Sequence, residues 1–420
     1  MQWTKSTMTT RTKMCELKTS LPIEDFEGLM RQSFGSDLEI KHVTWKHLTD
    51  PGENFGSLIV AVTVNFIENF SSNTMNLVVK LPPESPHLLD LFNCPLTFKK
   101  ELKFYSDVVP VFADIYRSLN VKNEFFVPRF IGGRLGLKNP DKFDSQAAII
   151  LENLKLSGYT VEDRIMGMDL DHIKFGVQKL AEFHAMTIGL RIKRRDFFEN
   201  TVLPTLIPPA NEAAMKGVMD MINKAHETLK RIEEAKPYLE SIEATLKSNN
   251  MDNVINKEDL WATIVHNDFW VNNMLFRHDA SGNIIDLKMV DFQLCIYSYG
   301  IEDLIFFLLS SSNKEVLDNN LDDMIDLYYD TFIDVLKKLK INTEHYSKSK
   351  FLELLNKHAH SKFSQCIFMV QVIQATRISR SELKNNDNNV DLSKIESNNI
   401  GNQKLLHIVK IFAKKNWLLK

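Results

Sequence analysis

Cysteine is scarce in this 420-residue chain: Cys15, Cys94, Cys295 and Cys366 lie far apart and form no C-x-x-C pair. A disulfide framework is excluded, and a reduced, cytoplasmic setting is the expectation. Long apolar runs are missing too. The longest, Leu304 to Leu309, is far short of the roughly 20 residues a membrane helix needs, and Met1-Gln2-Trp3-Thr4-Lys5 leads into polar residues, not a signal core. No stable membrane insertion is expected. Neither sign of charge dominates, with 51 basic against 54 acidic residues. That leaves no broad basic surface for nucleic acid, which is not expected as a partner. No G-x-x-x-x-G-K-[ST] occurs, so a Walker A phosphate loop is excluded.

What is present begins with size: at 44% apolar and 25% charged, the chain can bury a large core and is expected to form two lobes. Residues 1–20 read as a loose tail, 21–152 as a nucleotide-binding lobe and 153–420 as a catalytic and substrate lobe. Leu21 to Phe34 reads as a helix, followed by strands at Leu38 to Trp45, Ser57 to Phe66 and Asn76 to Lys80. Helices are expected at Leu96 to Val109, Asp171 to Ile192, Glu212 to Ser248, Gly300 to Ser311, Leu321 to Leu339, Lys350 to Ser379 and Lys404 to Leu419. Residues 382–403, rich in asparagine and serine, read as a mobile loop. The final helix reads as packed on the helical lobe, with a membrane-surface role as the alternative.

The chemistry concentrates in His266-Asn267-Asp268-Phe269-Trp270-Val271-Asn272-Asn273 and Val290-Asp291-Phe292-Gln293. Phosphoryl transfer needs a group that orients a hydroxyl and oxygen ligands for the metal ions on the phosphates. Asp268 suits the first task as base. Asn273, five residues on, and Asp291 suit the second as Mg²⁺ ligands. Asn273 to Phe276 and Leu287 to Val290 read as strands about a turn at Asp279 to Asn283, and such a hairpin brings Asn273 and Asp291 together.

Upstream, Pro51-Gly52-Glu53-Asn54-Phe55-Gly56-Ser57 is either a plain hairpin or a loop whose amides, with Asn54 and Ser57, cover ATP phosphates. Lys80 ends a strand before Pro82-Pro83, either as a solvated end or as a phosphate ligand. Glu101 on the next helix is its candidate partner. Ala147 to Leu151 reads as a buried strand leading into Glu152-Asn153-Leu154, a connection that binds adenine through its backbone. His184 reads as a hydrogen-bonded core histidine, and Arg191 to Arg195 as a basic helix C-terminus. Trp270 and Tyr297-Ser298-Tyr299 are expected near the substrate.

These pieces, with Phe104-Tyr105, Leu180-Ala181-Glu182-Phe183-His184-Ala185 and Asp303-Leu304, resemble the ecdysteroid-kinase-like family of insects over about residues 30 to 310. That family is related to choline kinases and aminoglycoside phosphotransferases. The resemblance implies an α+β, two-lobed protein-kinase-like fold: a small N-terminal lobe with an antiparallel sheet and a larger, mostly helical C-terminal lobe. It also implies ATP and Mg²⁺ as cofactors and a small-molecule hydroxyl as acceptor, on an ecdysteroid or a xenobiotic alcohol. Asp268 would be the base, Asn273 and Asp291 the Mg²⁺ ligands, and Lys80 with Glu101 the phosphate-positioning pair. Two departures stand out: Asn267 replaces a glycine common in relatives, though asparagine tolerates a left-handed backbone, and the phosphate loop has few glycines. Three other readings stay open: a choline- or aminoglycoside-type kinase of a polar molecule, a nucleotide-binding pseudokinase, and a non-catalytic carrier.

Overall fold

The computed structural model describes residues 21–48, 56–118, 125–208, 211–248, 255–375 and 398–420. Asn54, the rest of the loop before Gly56 and the tail 1–20 lie outside them.

The first helix, α1 (Phe26–Phe34), starts where Asp25 accepts the Gly28 N–H and ends at Gly35, whose φ of 84° favours glycine. Three long strands follow, β1 (Glu39–His47), β2 (Leu58–Glu68) and β3 (Ser71–Leu81). After the helices α2 (Pro86–Leu91), α3 (Cys94–Lys103) and α4 (Val109–Ser118) come β4 (Phe130–Arg134) and β5 (Ala148–Glu152). The five strands form one antiparallel sheet in the order β1-β2-β3-β5-β4.

Strand alternation divides this sheet's side chains between two faces. Val60, Val62, Val64, Leu77, Val79, Leu81 and Ile150 pack with Phe26, Leu29 and Met30 of α1. Lys80, between Val79 and Leu81, therefore points to the other face, where α3 lies. That helix passes through a π turn at Phe104–Val108 and continues as α4 to Ser118, past the end expected at Val109.

Beyond Glu152 come β6 (Tyr159–Thr160), α5 (Leu170–Lys193), α6 (Arg195–Phe197), α7 (Glu212–Lys230) and α8 (Leu239–Lys247). The single helix expected from Glu212 to Ser248 is thus two, separated by a 3-10 stretch that holds Pro237, which cannot supply an N–H to an α-helix. Next are β7 (Ala262–Val265), β8 (Met274–His278), β9 (Ile284–Met289) and β10 (Ile296–Tyr299). The expected hairpin is β8–β9, with β6 added on its other side, while β10 pairs with β7.

The remainder is helical: α9 (Gly300–Ser311), α10 (Lys314–Asn319), α11 (Leu321–Lys338), α12 (Lys348–His358), α13 (Phe363–Ala375) and α14 (Asn399–Lys414). The helix expected from Lys350 is split by a 3-10 turn at Ala359–Lys362. The last helix starts earlier than expected, because Asn398 caps it by accepting the Gly401 N–H. Leu405, Ile408, Val409 and Phe412 are buried, so α14 is part of the core. Among the described residues no helix is long and apolar enough to cross a membrane, and Cys94, Cys295 and Cys366 are buried free thiols.

Candidate active site

Lys80 is buried, and its Nζ donates to Glu101 Oε2 at 2.5 Å, to Asp291 Oδ1 at 2.8 Å and to Gln293 Oε1 at 3.3 Å. Residues 21 and 211 positions apart thus meet on one ammonium. Burial alone would lower the lysine's pKa, but the charges and hydrogen bonds of Asp291 and Glu101 more than reverse this, and Lys80 stays protonated. Glu101 is pushed up by burial, with Asp291 adding to the shift and Lys80 opposing it.

Asp268 and Asn273 form the second half of the group. The Asn273 Nδ2 donates to the Asp268 carbonyl at 2.8 Å and to its Oδ2 at 2.9 Å. The amide oxygen of Asn273 is then its atom with ligand capacity. Burial, followed by the charge of Asp291, raises Asp268 well above the usual carboxylate range, against hydrogen bonds from Asn273 and Trp270. The two halves are tied by the Val290 N–H donating to the Asn273 carbonyl at 3.1 Å. Lys80 thus joins Glu101 and Asp291, and the charge of Asp291 in turn bears on Asp268, so three carboxylates lie about one ammonium. The excess negative charge and the oxygen donors of Asp291 and Asn273 suit a hard divalent cation.

Supporting residues hold this geometry. Asp303 is fully buried at the start of α9 and accepts the backbone N–H groups of His266 at 2.6 Å and Asn267 at 2.8 Å. Burial alone would raise its pKa, yet the hydrogen bond and charge of His184, with His266 and Lys362, hold it below the usual value. His184 is the core histidine expected, with Nδ1 2.7 Å from the Tyr328 hydroxyl and Nε2 3.2 Å from Asp303. Gly300 is required beside them, since a Cβ there would sit 2.5 Å from the Tyr328 hydroxyl and 2.6 Å from His184 Nδ1. Asn267 has φ 63°, the left-handed backbone that glycine would adopt freely, and Asp291 has φ 69°. The Asn267 side-chain oxygen accepts from Lys362 Nζ at 3.0 Å and its carbonyl from Gln365 Nε2 at 2.9 Å.

Phe292, next to Asp291, is buried and stacks on Phe104 at 3.8 Å between ring centroids, with Tyr105 edge-on at 5.8 Å. The helix bearing Glu101 and the turn bearing Asp291 thus share an aromatic contact. Lys100, beside Glu101, is buried and donates to the Cys295 carbonyl at 2.6 Å.

The structure does not bring every sequence candidate to this group. Ser57 directly precedes β2, whose Ile59 pairs with Lys80. Glu152 lies further along the sheet, paired with Leu77 while Lys80 pairs with Ile149. Its carboxylate accepts the Arg129 N–H and its own N–H donates to the Arg129 carbonyl. Leu154 is buried at the start of a 3-10 turn. Trp270 stays beside Asp268, whereas the Tyr297 hydroxyl takes Arg191 and the Lys257 carbonyl as partners, and that of Tyr299 donates to Asp259. Those tyrosines bind neighbouring protein segments. The motif alone gives Gln293 no role, and Lys100, Lys362 and Gln365 carry no signal in the sequence beyond ordinary helix polarity.

Among solved structures, the chain is similar to a gentamicin complex of the aminoglycoside phosphotransferase APH(2'')-IIa, at 15% identity over 86% of this chain and 93% of that one, with a TM-score of 0.35. It is similar to ADP-bound APH(2'')-Ib at 14% identity, covering 78% and 95%, with a TM-score of 0.31. A choline/ethanolamine kinase family protein from Mesorhizobium loti gives 8% identity, 87% and 92% coverage and a TM-score of 0.34. No curated protein sequence matches the chain. The model of the ecdysteroid kinase-like family matches residues 51–341, well over half of the sequence, and the chain belongs to that family of small-molecule kinases.

Proposed function

We propose that this protein transfers the γ-phosphoryl group of ATP to a hydroxyl of a small lipophilic molecule, an ecdysteroid or a xenobiotic alcohol. The observation that carries the proposal is the intact charged group: Lys80 bonded to Glu101 and Asp291, with Asp268 held by Asn273. A pseudokinase would be expected to have lost one of these.

In this reading Lys80, held by Glu101, binds phosphate oxygens, and Asn54 and Ser57 cover them from the loop before β2. The Glu152 carbonyl and Leu154 N–H hold the adenine edge. Asp291 and Asn273 hold Mg²⁺, which neutralises charge on the phosphates when bound. Asp268 accepts the acceptor hydroxyl's proton as that oxygen bonds to the γ-phosphorus and the bond to the β,γ-bridging oxygen breaks, releasing ADP.

The small acceptor follows from chain length. Only nine residues separate Gln293 from Asp303, and they are taken up by a 3-10 turn ending at Leu294, by β10 and by the start of α9. That leaves no long segment for docking a peptide.

The test is a screen of hydroxylated metabolites with purified protein, Mg²⁺ and labelled ATP, with products identified by mass. A phosphate ester of a steroid or plant-derived alcohol is expected. Preferential phosphorylation of choline, aminoglycosides or generic protein substrates would overturn the lipophilic assignment.

A further inference from the structure

Away from the Lys80 group, three segments bring a second set of ligand atoms together. Glu162 follows β6, His172 lies in the first turn of α5 and His278 closes β8. One ligand atom from each lies within 4.8 Å of the others. His172 Nε2 is 3.1 Å from His278 Nε2 and 3.5 Å from a Glu162 carboxylate oxygen. Two nitrogens bound to Zn²⁺ at about 2.0–2.1 Å in tetrahedral geometry lie roughly 3.3 Å apart, so these spacings fit one ion.

The hydrogen bonds on the far side of His172 fix its chemistry. Asp169 Oδ1 accepts the His172 backbone N–H at 3.0 Å and sits 2.7 Å from its Nδ1. With Nδ1 engaged by the Asp169 carboxylate, an acceptor, the other ring nitrogen, Nε2, is the one that faces His278 and Glu162. A carboxylate–histidine pair of this kind orients imidazoles that bind metals. His172 is half-buried at 15% side-chain exposure and Glu162 is at 29%, which leaves room for solvent at a fourth position.

We propose that Glu162, His172 and His278 form a zinc centre with water as the fourth ligand and Asp169 orienting His172. The centre fastens the first turn of α5 to the end of β8 remote from Asn273. Zinc here adds a cross-link between segments more than a hundred residues apart in sequence. It is separate from the Mg²⁺ held by Asp291 and Asn273 in the proposed kinase reaction.

The test is calorimetric titration of the metal-stripped full-length protein with Zn²⁺ in excess Mg²⁺, followed by Co²⁺ substitution. One equivalent should bind, the cobalt form should show tetrahedral visible bands, and Asp291→Ala should retain both. His278→Gln should weaken binding by at least about a hundredfold. Asp169→Asn should weaken it by about 10–100-fold, the usual effect of losing such a partner, while asparagine still caps α5. Absence of stoichiometric binding, octahedral cobalt spectra, or unchanged affinity in both His278→Gln and Asp169→Asn would overturn the proposal. Circular dichroism of each variant separates lost binding from lost fold, and Asp169→Asn remains decisive if His278→Gln does not fold.

Discussion

Lys80 serves two carboxylates at once, so its removal leaves Glu101 and Asp291 facing each other in a buried site. Breaking such a pair by deleting one partner costs about 3–5 kcal/mol, and Lys80→Met should show a loss of this size in urea denaturation. The loss should shrink in a Glu101→Gln background; an unchanged cost there would mean that the ion pair is not its source. Asp268→Asn should act differently, preserving Mg-ATP affinity while lowering kcat by about 10²–10⁴; near-normal turnover would remove Asp268 from the mechanism. Lys100 offers a pH signature. Burial lowers its pKa from 10.5 to about 8, so between those values the unfolded chain holds a proton that the folded chain has released. Stability should therefore rise with pH across that window, by up to about 3 kcal/mol. Denaturation midpoints at pH 8 and pH 10 should show this rise in the wild type and lose it in Lys100→Met.

Elements carry these residues into place through contacts that motifs alone do not reveal. Gly300→Ala would drive a methyl group into His184 and the Tyr328 hydroxyl, and His184 bears on Asp303, which holds the loop of Asp268. Its kcat should fall more steeply than its stability, as turnover and thermal melting measured on the same preparation would reveal; a loss of stability alone would break this chain of contacts. The His266–Asn273 and Val290–Gln293 motifs were legible because their chemistry needs fixed spacings, and the β8–β9 hairpin because turn residues separate two apolar runs. Lys80 was legible because it breaks an apolar strand. The role of Lys100 was hidden because a lysine on a helix reads as solvent-facing, and only the fold seats it under the Cys295 carbonyl. The π turn at Phe104–Val108 likewise leaves no mark in local pattern, because its buried residues Phe104, Tyr105 and Val108 keep the spacing of an ordinary helix face.

For the molecule as a whole, Lys80, Glu101 and Asp291, proposed to act on Mg-ATP, lie far apart in sequence and meet only in the folded state. A ligand bound only by that state stabilises it by about 2.7 kcal/mol at a hundred times its dissociation constant. Mg-ATP should therefore raise the melting temperature of the wild type, and Asp291→Ala should abolish the shift without unfolding the protein. An equal shift in both proteins would place the nucleotide elsewhere, and none in either would favour a carrier for an apolar ligand.

The clasp of Lys362 and Gln365 on Asn267 reaches across 98 residues to Gln365, past the end of the family-matched segment at residue 341. Synthesis proceeds from the N-terminus at about 5–20 residues per second, so Asn267 leaves the ribosome's catalytic centre roughly 5–20 s before Gln365 does. From the completion of Gln293 until Gln365 is made, the nascent chain holds both sequence motifs but lacks the full clasp on Asn267, beside Asp268. The left-handed turn beside Asp268 then lacks these anchors, and the proposed activity waits on a segment made after the family-matched one.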